Sequence, residues 1–131
     1  MAVRFEILIS LLAIAVLFIA FSPLLIFLQD IGSGKIYAEF KFNTTPSYSL
    51  TIILHHEGFA YLTDVNFFSE VTYQNGLKET KNLYVSVFAK GDTITINIPL
   101  KFSYLQIEEI KVNVSAYIMG VYRIEFYLER K

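Results

Sequence analysis

The chain begins with a long apolar segment that lacks any polar stripe. No charged residue occurs from Ile7 to Leu28, where Ser10, Ser22 and Pro23 are the only interruptions. At about 1.5 Å per residue, a helix of this length spans about 33 Å, enough for a hydrocarbon core of about 30 Å. A soluble amphipathic helix would keep one polar face. The pattern therefore predicts one transmembrane helix within residues 1–31.

A cleaved signal peptide is the alternative interpretation of this segment. The apolar part of a signal peptide is about 7–15 residues long and ends at small residues. Here the run is longer, and the nearest small residues are Gly32-Ser33-Gly34, so an uncleaved anchor is favoured. Arg4 precedes the span and Asp30 follows it. Because basic residues favour the cytoplasmic side, we expect a single-pass plasma-membrane protein with its N-terminus inside and its C-terminal domain outside.

After a short linker at residues 32–35, apolar and polar positions alternate with a period of two. This period is typical of strands that bury one face. Turn signals such as Asn75-Gly76 and Lys90-Gly91-Asp92 separate seven alternating runs. The predicted strands are 35–42, 48–55, 64–73, 82–89, 93–100, 110–118 and a last strand from residue 122.

Seven short strands, each with one apolar face, predict an all-β domain over residues 36–131. Their spacing of about 8–12 residues is typical of an immunoglobulin-like antiparallel β-sandwich, in which two sheets pack their apolar faces together. A small antiparallel barrel is the alternative architecture.

Composition narrows the classes of function. The formal net charge is −1 and no basic run occurs, so the charge pattern of a nucleic-acid-binding protein is missing. Cysteine is absent, which excludes disulfides, thiolate chemistry and sulfur-ligated metals. The β domain must therefore be stabilised by its core alone.

Few residues are candidates for chemistry. His55 and His56 are adjacent, and adjacent strand residues point to opposite faces, so the pair is poorly placed to bind one metal ion. Glu108 and Glu109 show no spacing that would bring two carboxylates together in a cleft. No nucleophile elbow, phosphate loop or dinucleotide motif occurs. We expect no enzymatic activity, no cofactor and no metal.

The aromatic residues suggest a different role. Several fall on the strand face opposite the apolar one, where large rings are typical of protein contacts. These predicted contact residues are Tyr37, Phe68, Tyr84, Phe88, Tyr117 and Tyr127. The alternative is that the rings pack against neighbouring strands. Asn43 and Asn113 each begin a sequon for N-glycosylation, in agreement with an extracellular domain.

The layout resembles archaeal cell-surface proteins that join an apolar N-terminal helix to an immunoglobulin-like domain. The rhythm of Gly58, Asn75-Gly76, Lys90-Gly91-Asp92 and Ile98-Pro99-Leu100 is similar to that of adhesion-type β-sandwich domains. The start, Arg4-Phe5-Glu6-Ile7-Leu8-Ile9, resembles the helix entry of type IV pilins and pilin-like archaellum accessory proteins. This resemblance implies helix contacts for Phe5 and Glu6. It also implies an S-layer-like coat or a filament base as the partner, as for archaellum stator proteins.

We therefore expect a non-enzymatic, membrane-anchored surface protein whose β-sandwich binds another envelope or filament protein. One alternative is a pilin-like subunit of an extracellular filament, with the apolar helix packed in the filament core and the chain forming a homo-oligomer. Another is an accessory subunit of a larger membrane complex, with the helix docked on other spans.

Overall fold

The structure is a computed structural model that describes residues 2–130, with side chains from residue 4 onward. Residue 1 of the predicted range 1–31 and residue 131 of the predicted range 36–131 lie outside the described residues. One helix, α1 (Ala2–Gly32), precedes the strands. The seven strands are β1 (Ile36–Asn43), β2 (Ser49–His56), β3 (Leu62–Tyr73), β4 (Lys78–Phe88), β5 (Thr93–Pro99), β6 (Ile107–Ile118) and β7 (Tyr122–Arg130).

The strands form two antiparallel sheets. One has the order β1-β2-β5 and the other β4-β3-β6-β7. The predicted immunoglobulin-like sandwich of seven strands after one N-terminal helix is thus confirmed, and the barrel alternative is wrong because the sheets remain separate. Strands β4 and β6 begin earlier than predicted, at Lys78 and Ile107.

The core lies between the sheets and comes mainly from their central strands. On β2 the buried side chains alternate strictly, as the period-two pattern predicts. The fully buried large residues include Leu50, Ile52, Leu54, Phe67, Tyr73, Ile110 and Ile118. Burying one such side chain contributes about 1.5–3 kcal/mol, which is how a chain without disulfides holds the domain together.

In β3 the alternation reverses at a β-bulge. Leu62 and Val65 are both buried although they are three residues apart, and the pairing of β3 with β6 shifts between Thr63 and Asn66. Asp64 has a φ of 49°, in the left-handed region, at this point. An extra residue in one strand changes which face the following residues occupy.

Helix α1 has two parts with different surroundings. From Phe5 to Phe21 its large apolar side chains are exposed on every side, whereas Leu24, Ile26, Phe27 and Ile31 pack against the sandwich core. The Phe27 and Phe126 ring centroids are 5.5 Å apart. α1 is long and apolar enough to span a membrane. In its last turns, one side of α1 is apolar because it packs on the β domain, whereas Leu25 and Leu28 on the other side are exposed.

Pro23 lies where the exposed part of α1 gives way to the packed part. Proline has no N–H, so the carbonyl of Ile19 receives no helical hydrogen bond from it. The Ser22 hydroxyl donates to this carbonyl at 2.8 Å. Ser22 therefore donates to a helical carbonyl that proline leaves without its usual donor.

Residues 33–35 form a tight turn between α1 and β1. The backbone N–H groups of Ser33, Gly34 and Lys35 donate to carbonyls of the last helical turn at 2.9–3.1 Å. The predicted linker region is therefore hydrogen-bonded to the helix end.

Candidate functional site

Four of the predicted contact aromatics share the outer face of the β4-β3-β6-β7 sheet. They are Phe68 on β3, Tyr84 on β4, Tyr117 on β6 and Tyr127 on β7, and all four are exposed. Tyr84 and Tyr127 have 56% and 55% of their surface accessible. We call these four residues the aromatic face. A rigid sheet presents their rings with little conformational freedom left to lose on binding.

The centre of the aromatic face is a transverse row across three strands. Phe68 pairs with Asn113, and Asn113 pairs with Tyr127. Together with Glu70 and Lys111 they line a shallow depression of about 180 Å³. The Asn113 amide nitrogen donates to Glu125 at 3.1 Å, while its carbonyl oxygen is buried without a hydrogen-bond partner among the described residues.

Charged groups of both signs surround this row. The Lys111 ammonium lies 4.3 Å from the centre of the Tyr127 ring and 3.9 Å from a Glu129 carboxylate oxygen. Lys78 and Glu70 form another ion pair at 3.3 Å. Large rings are typical of the core of contact patches that bind other proteins, and polar groups are typical of the rim.

Tyr84 is held at one side of the aromatic face by the bulge in β3. Its hydroxyl donates to the Asp64 carboxylate at 2.6 Å. That hydrogen bond, together with partial desolvation and the nearby negative charge, raises the pKa of Tyr84. The bulge thus positions Asp64, which in turn fixes the Tyr84 ring.

Two of the predicted aromatics lie elsewhere. Phe88 is 1% exposed and packs edge-on against Phe67, with ring centroids 5.6 Å apart, so its predicted place on the outer face is wrong. The physical reason is the reversed alternation: Phe88 pairs with Leu62, beyond the bulge, and both face the core. Tyr37 lies on the other sheet and stacks on His55 at 4.8 Å.

The two histidines point to opposite faces of β2, as predicted. His55 lies outside, 3.5 Å from the Glu39 carboxylate. His56 is buried, with its Nε2 2.8 Å from the Ala60 carbonyl oxygen and its Nδ1 accepting from the Gly58 N–H at 3.1 Å. With Nδ1 accepting from Gly58, the Nε2–H group donates to the Ala60 carbonyl oxygen. Over the described residues, no group of three metal-ligating side chains is present.

The two sequons occupy different environments. Asn43 is exposed at the end of β1, and its amide donates to Thr51 at 3.1 Å. Asn113 is half-buried in a central strand, between Phe68 and Tyr127. Asn43 is therefore the more accessible acceptor.

Phe5 and Glu6 lie on the exposed first turns of α1, where Phe5 is among the exposed large apolar side chains.

Sequence reasoning missed the end of the sandwich opposite α1. The loops there carry four exposed apolar residues: Tyr48, Leu77, Tyr104 and Leu105. A signal existed, since apolar residues in turn segments are unusual, but Leu77, Tyr104 and Leu105 belong to no alternating run and Tyr48 only begins the predicted strand 48–55. The Gln74 N–H donates to Gln106 at 2.8 Å, which joins two of these loops.

A scan against protein-family models and a search of curated proteins both find no match to this chain. Any inference about the function of the chain therefore rests on its fold and on the surfaces described above.

Proposed function

We propose that this chain is a non-enzymatic, membrane-anchored cell-surface protein whose β-sandwich binds another envelope or filament protein through the aromatic face. The observation that carries the proposal is the group of four exposed rings on one rigid sheet. Aromatic residues are enriched in protein contacts because they bury a large area at low entropic cost.

The exposed part of α1 supports the membrane anchor. About seventeen residues from Phe5 to Phe21 extend about 25 Å and expose leucine, isoleucine, valine and phenylalanine on every side. Such a surface is stable only in an apolar environment, since exposing it to water costs about 1.5–3 kcal/mol for each large side chain. A bilayer provides that environment, and anchoring raises the effective concentration of the domain for neighbouring envelope proteins.

The resemblance to archaeal surface proteins and archaellum stator proteins favours an S-layer-like coat or a filament base as the partner. The charges flanking the helix favour a cytoplasmic N-terminus and an extracellular β domain. Both sequons belong to that domain.

Site-specific photocrosslinking in intact cells tests the aromatic face. A photoreactive phenylalanine analogue replaces Tyr84 or Tyr127 in the full chain, and Thr95, exposed on the other sheet, is the matched control position. We expect one envelope protein, identified by mass spectrometry, to crosslink from the first two positions and not from Thr95.

A Phe68→Ala, Tyr127→Ala double variant should abolish that crosslink from position 84 while the protein still reaches the membrane. The same crosslinks from all three positions, or none from Tyr84 and Tyr127, would refute the aromatic face as the contact site.

A pilin-like filament subunit is a second candidate, and the division of α1 favours it. An apolar half-helix that projects from its own domain can pack against the same half-helix of other copies as well as against lipid. Phe5 and Glu6 would then contact neighbouring helices in a filament core. Electron microscopy of sheared surface material, with immunogold labelling of the β domain, tests this candidate. Labelled filaments would support it, and unlabelled filaments would contradict it.

A further inference from the structure

Two loops at the α1 end of the sandwich have apolar tips. The β2–β3 loop carries Phe59, which is 72% exposed, and Tyr61. The β6–β7 turn has the sequence Met119-Gly120-Val121, and Val121 is 61% exposed. Turns of soluble domains usually carry polar residues, so apolar tips on both loops call for an apolar or amphipathic contact.

The two loops form one connected surface, which we call the apolar end and define as Phe59, Tyr61 and Val121. The Met119 N–H donates to the Tyr61 carbonyl at 2.8 Å, which joins one loop to the other. The Ala60 N–H donates to Asp30 of α1 at 2.8 Å, which joins them to the helix. The apolar end therefore has a fixed position relative to α1.

One part of the apolar end, Val121, lies near the level at which apolar exposure on every side of α1 ends. The Tyr122 hydroxyl donates to the Ala20 carbonyl, and the Tyr122 ring stacks on Phe21 with centroids 6.2 Å apart. Val121, one residue earlier, is therefore at the level where all-round exposure of α1 ends, although Leu25 and Leu28 remain exposed on one side. Asp30, which holds the loop of Phe59 and Tyr61, is about 15 Å further along the helix, so these two residues lie farther from the lipid centre than Val121.

We propose that the apolar end sits in the interfacial layer of a lipid bilayer, with Val121 inserted below the headgroups and with Phe59 and Tyr61 among the headgroups. This inference rests on the proposed membrane anchor and adds a second membrane contact that fixes how the domain stands on the surface. The Lys90 ammonium lies 4.2 Å from the Phe59 ring centre. Aromatic rings beside a lysine that reaches toward headgroups are typical of membrane interfaces.

The absence of tryptophan from the chain allows a direct test. The full-length protein is reconstituted into phosphatidylcholine–phosphatidylglycerol vesicles, with or without brominated acyl chains, as four single-tryptophan variants. Phe59→Trp and Val121→Trp report the apolar end, and Phe18→Trp reports the helix. Leu105→Trp, equally exposed but at the opposite end of the sandwich, is the matched control.

We expect brominated lipid to quench the emission of Phe18→Trp and Val121→Trp strongly and that of Phe59→Trp more weakly, and to leave that of Leu105→Trp unchanged. Quenching of Phe18→Trp alone would keep the anchor and overturn the interfacial contact. Blue-shifted but unquenched emission from positions 59 and 121 would show that another protein copy covers the apolar end, which also overturns it. If Phe18→Trp is not quenched, the anchor fails and the interfacial contact fails with it.

Discussion

Asp30 and Ala60 connect the two parts of the molecule. An Asp30 carboxylate oxygen lies 2.8 Å from the Ala60 nitrogen, and Asp30 is only 3% exposed. This bond fastens the end of α1 to the β2–β3 loop, whose base is in turn held by the His56 ring. The end of α1 is thus part of the folded domain and is not joined to it by a flexible linker, so the orientation of α1 determines that of the β domain.

Removing the Asp30 side chain should loosen this connection. In Asp30→Ala the buried Ala60 N–H loses its acceptor, which costs about 1–3 kcal/mol of unfolding free energy. Urea unfolding of the detergent-solubilised full chain, followed by circular dichroism, measures the change. Asp30→Asn keeps an acceptor oxygen and should lose less, so equal losses in the two variants would contradict this role.

Gly58 leaves the space that the Asp30 carboxyl group occupies. A Cβ at position 58 would overlap that group, whereas a Cβ at Gly32 would meet no atom within 4 Å. We expect Gly58→Ala to lower the free energy of unfolding by about 1–3 kcal/mol, as overpacking usually does. Gly32→Ala is the control and should leave stability nearly unchanged. Similar unfolding midpoints for the two variants would refute the close approach.

The reversed alternation in β4 makes opposite predictions for two adjacent residues. Phe88 is buried and Val87 is exposed, although an unbroken period of two gives the reverse. Phe88→Ala should lower the free energy of unfolding by about 3–5 kcal/mol, and Val87→Ala should change it by no more than about 0.5 kcal/mol. Chemical unfolding of both variants measures the two changes in the free energy of unfolding. A larger decrease for Val87→Ala than for Phe88→Ala would show that the bulge is misplaced.

Tyr73 should make the domain sensitive to strong alkali. Burial, together with the hydrogen bond that its hydroxyl donates to Glu79 at 2.7 Å, raises its pKa from 10.0 to about 12. Since the neutral form is favoured in the folded state, its contribution to stability is complete below about pH 10 and is lost as the pH approaches 12. Unfolding free energies measured from pH 8 to 12 should fall over that window.

Tyr73→Phe removes this titration. It should be less stable than the wild-type chain at pH 8 by about 1 kcal/mol, because the hydrogen bonds to Glu79 and from Lys101 are lost. Its stability should then change less between pH 10 and 12. An identical alkaline decline in both proteins would assign the effect to other groups.

Much of the β domain is predictable from sequence because each strand buries one face. Leu50, Ile52 and Leu54, for example, alternate with half-buried residues as the period of two requires. The bulge at Asp64 escapes this reasoning, since nothing in the alternation of β3 signals an inserted residue. The early start of β4 escapes it for another reason: Lys78 to Lys81 are polar or charged, so they carry no apolar face to detect.

The ends of the predicted span show a different limit. Leu24, Ile26 and Phe27 are apolar because they join the sandwich core, while Phe18 and Ile19 are apolar and exposed. Protein core and lipid select the same residue types, so sequence alone cannot divide the run. The contact between Asp30 and Ala60 joins residues thirty positions apart, and no local pattern predicts it. The residues of the aromatic face were predictable because inward and outward positions alternate along their strands. Phe88 was not, because the alternation in β4 is reversed before it.

The most direct test of the membrane-anchored function is mass spectrometry of the intact protein from two fractions of the cells that make it: washed membranes and sheared surface filaments. The proposed anchor predicts that the protein is confined to the membranes and retains residues 1–6. Abundant protein in the filaments, beginning at Phe5 or nearby, would contradict the anchor and favour the pilin-like subunit.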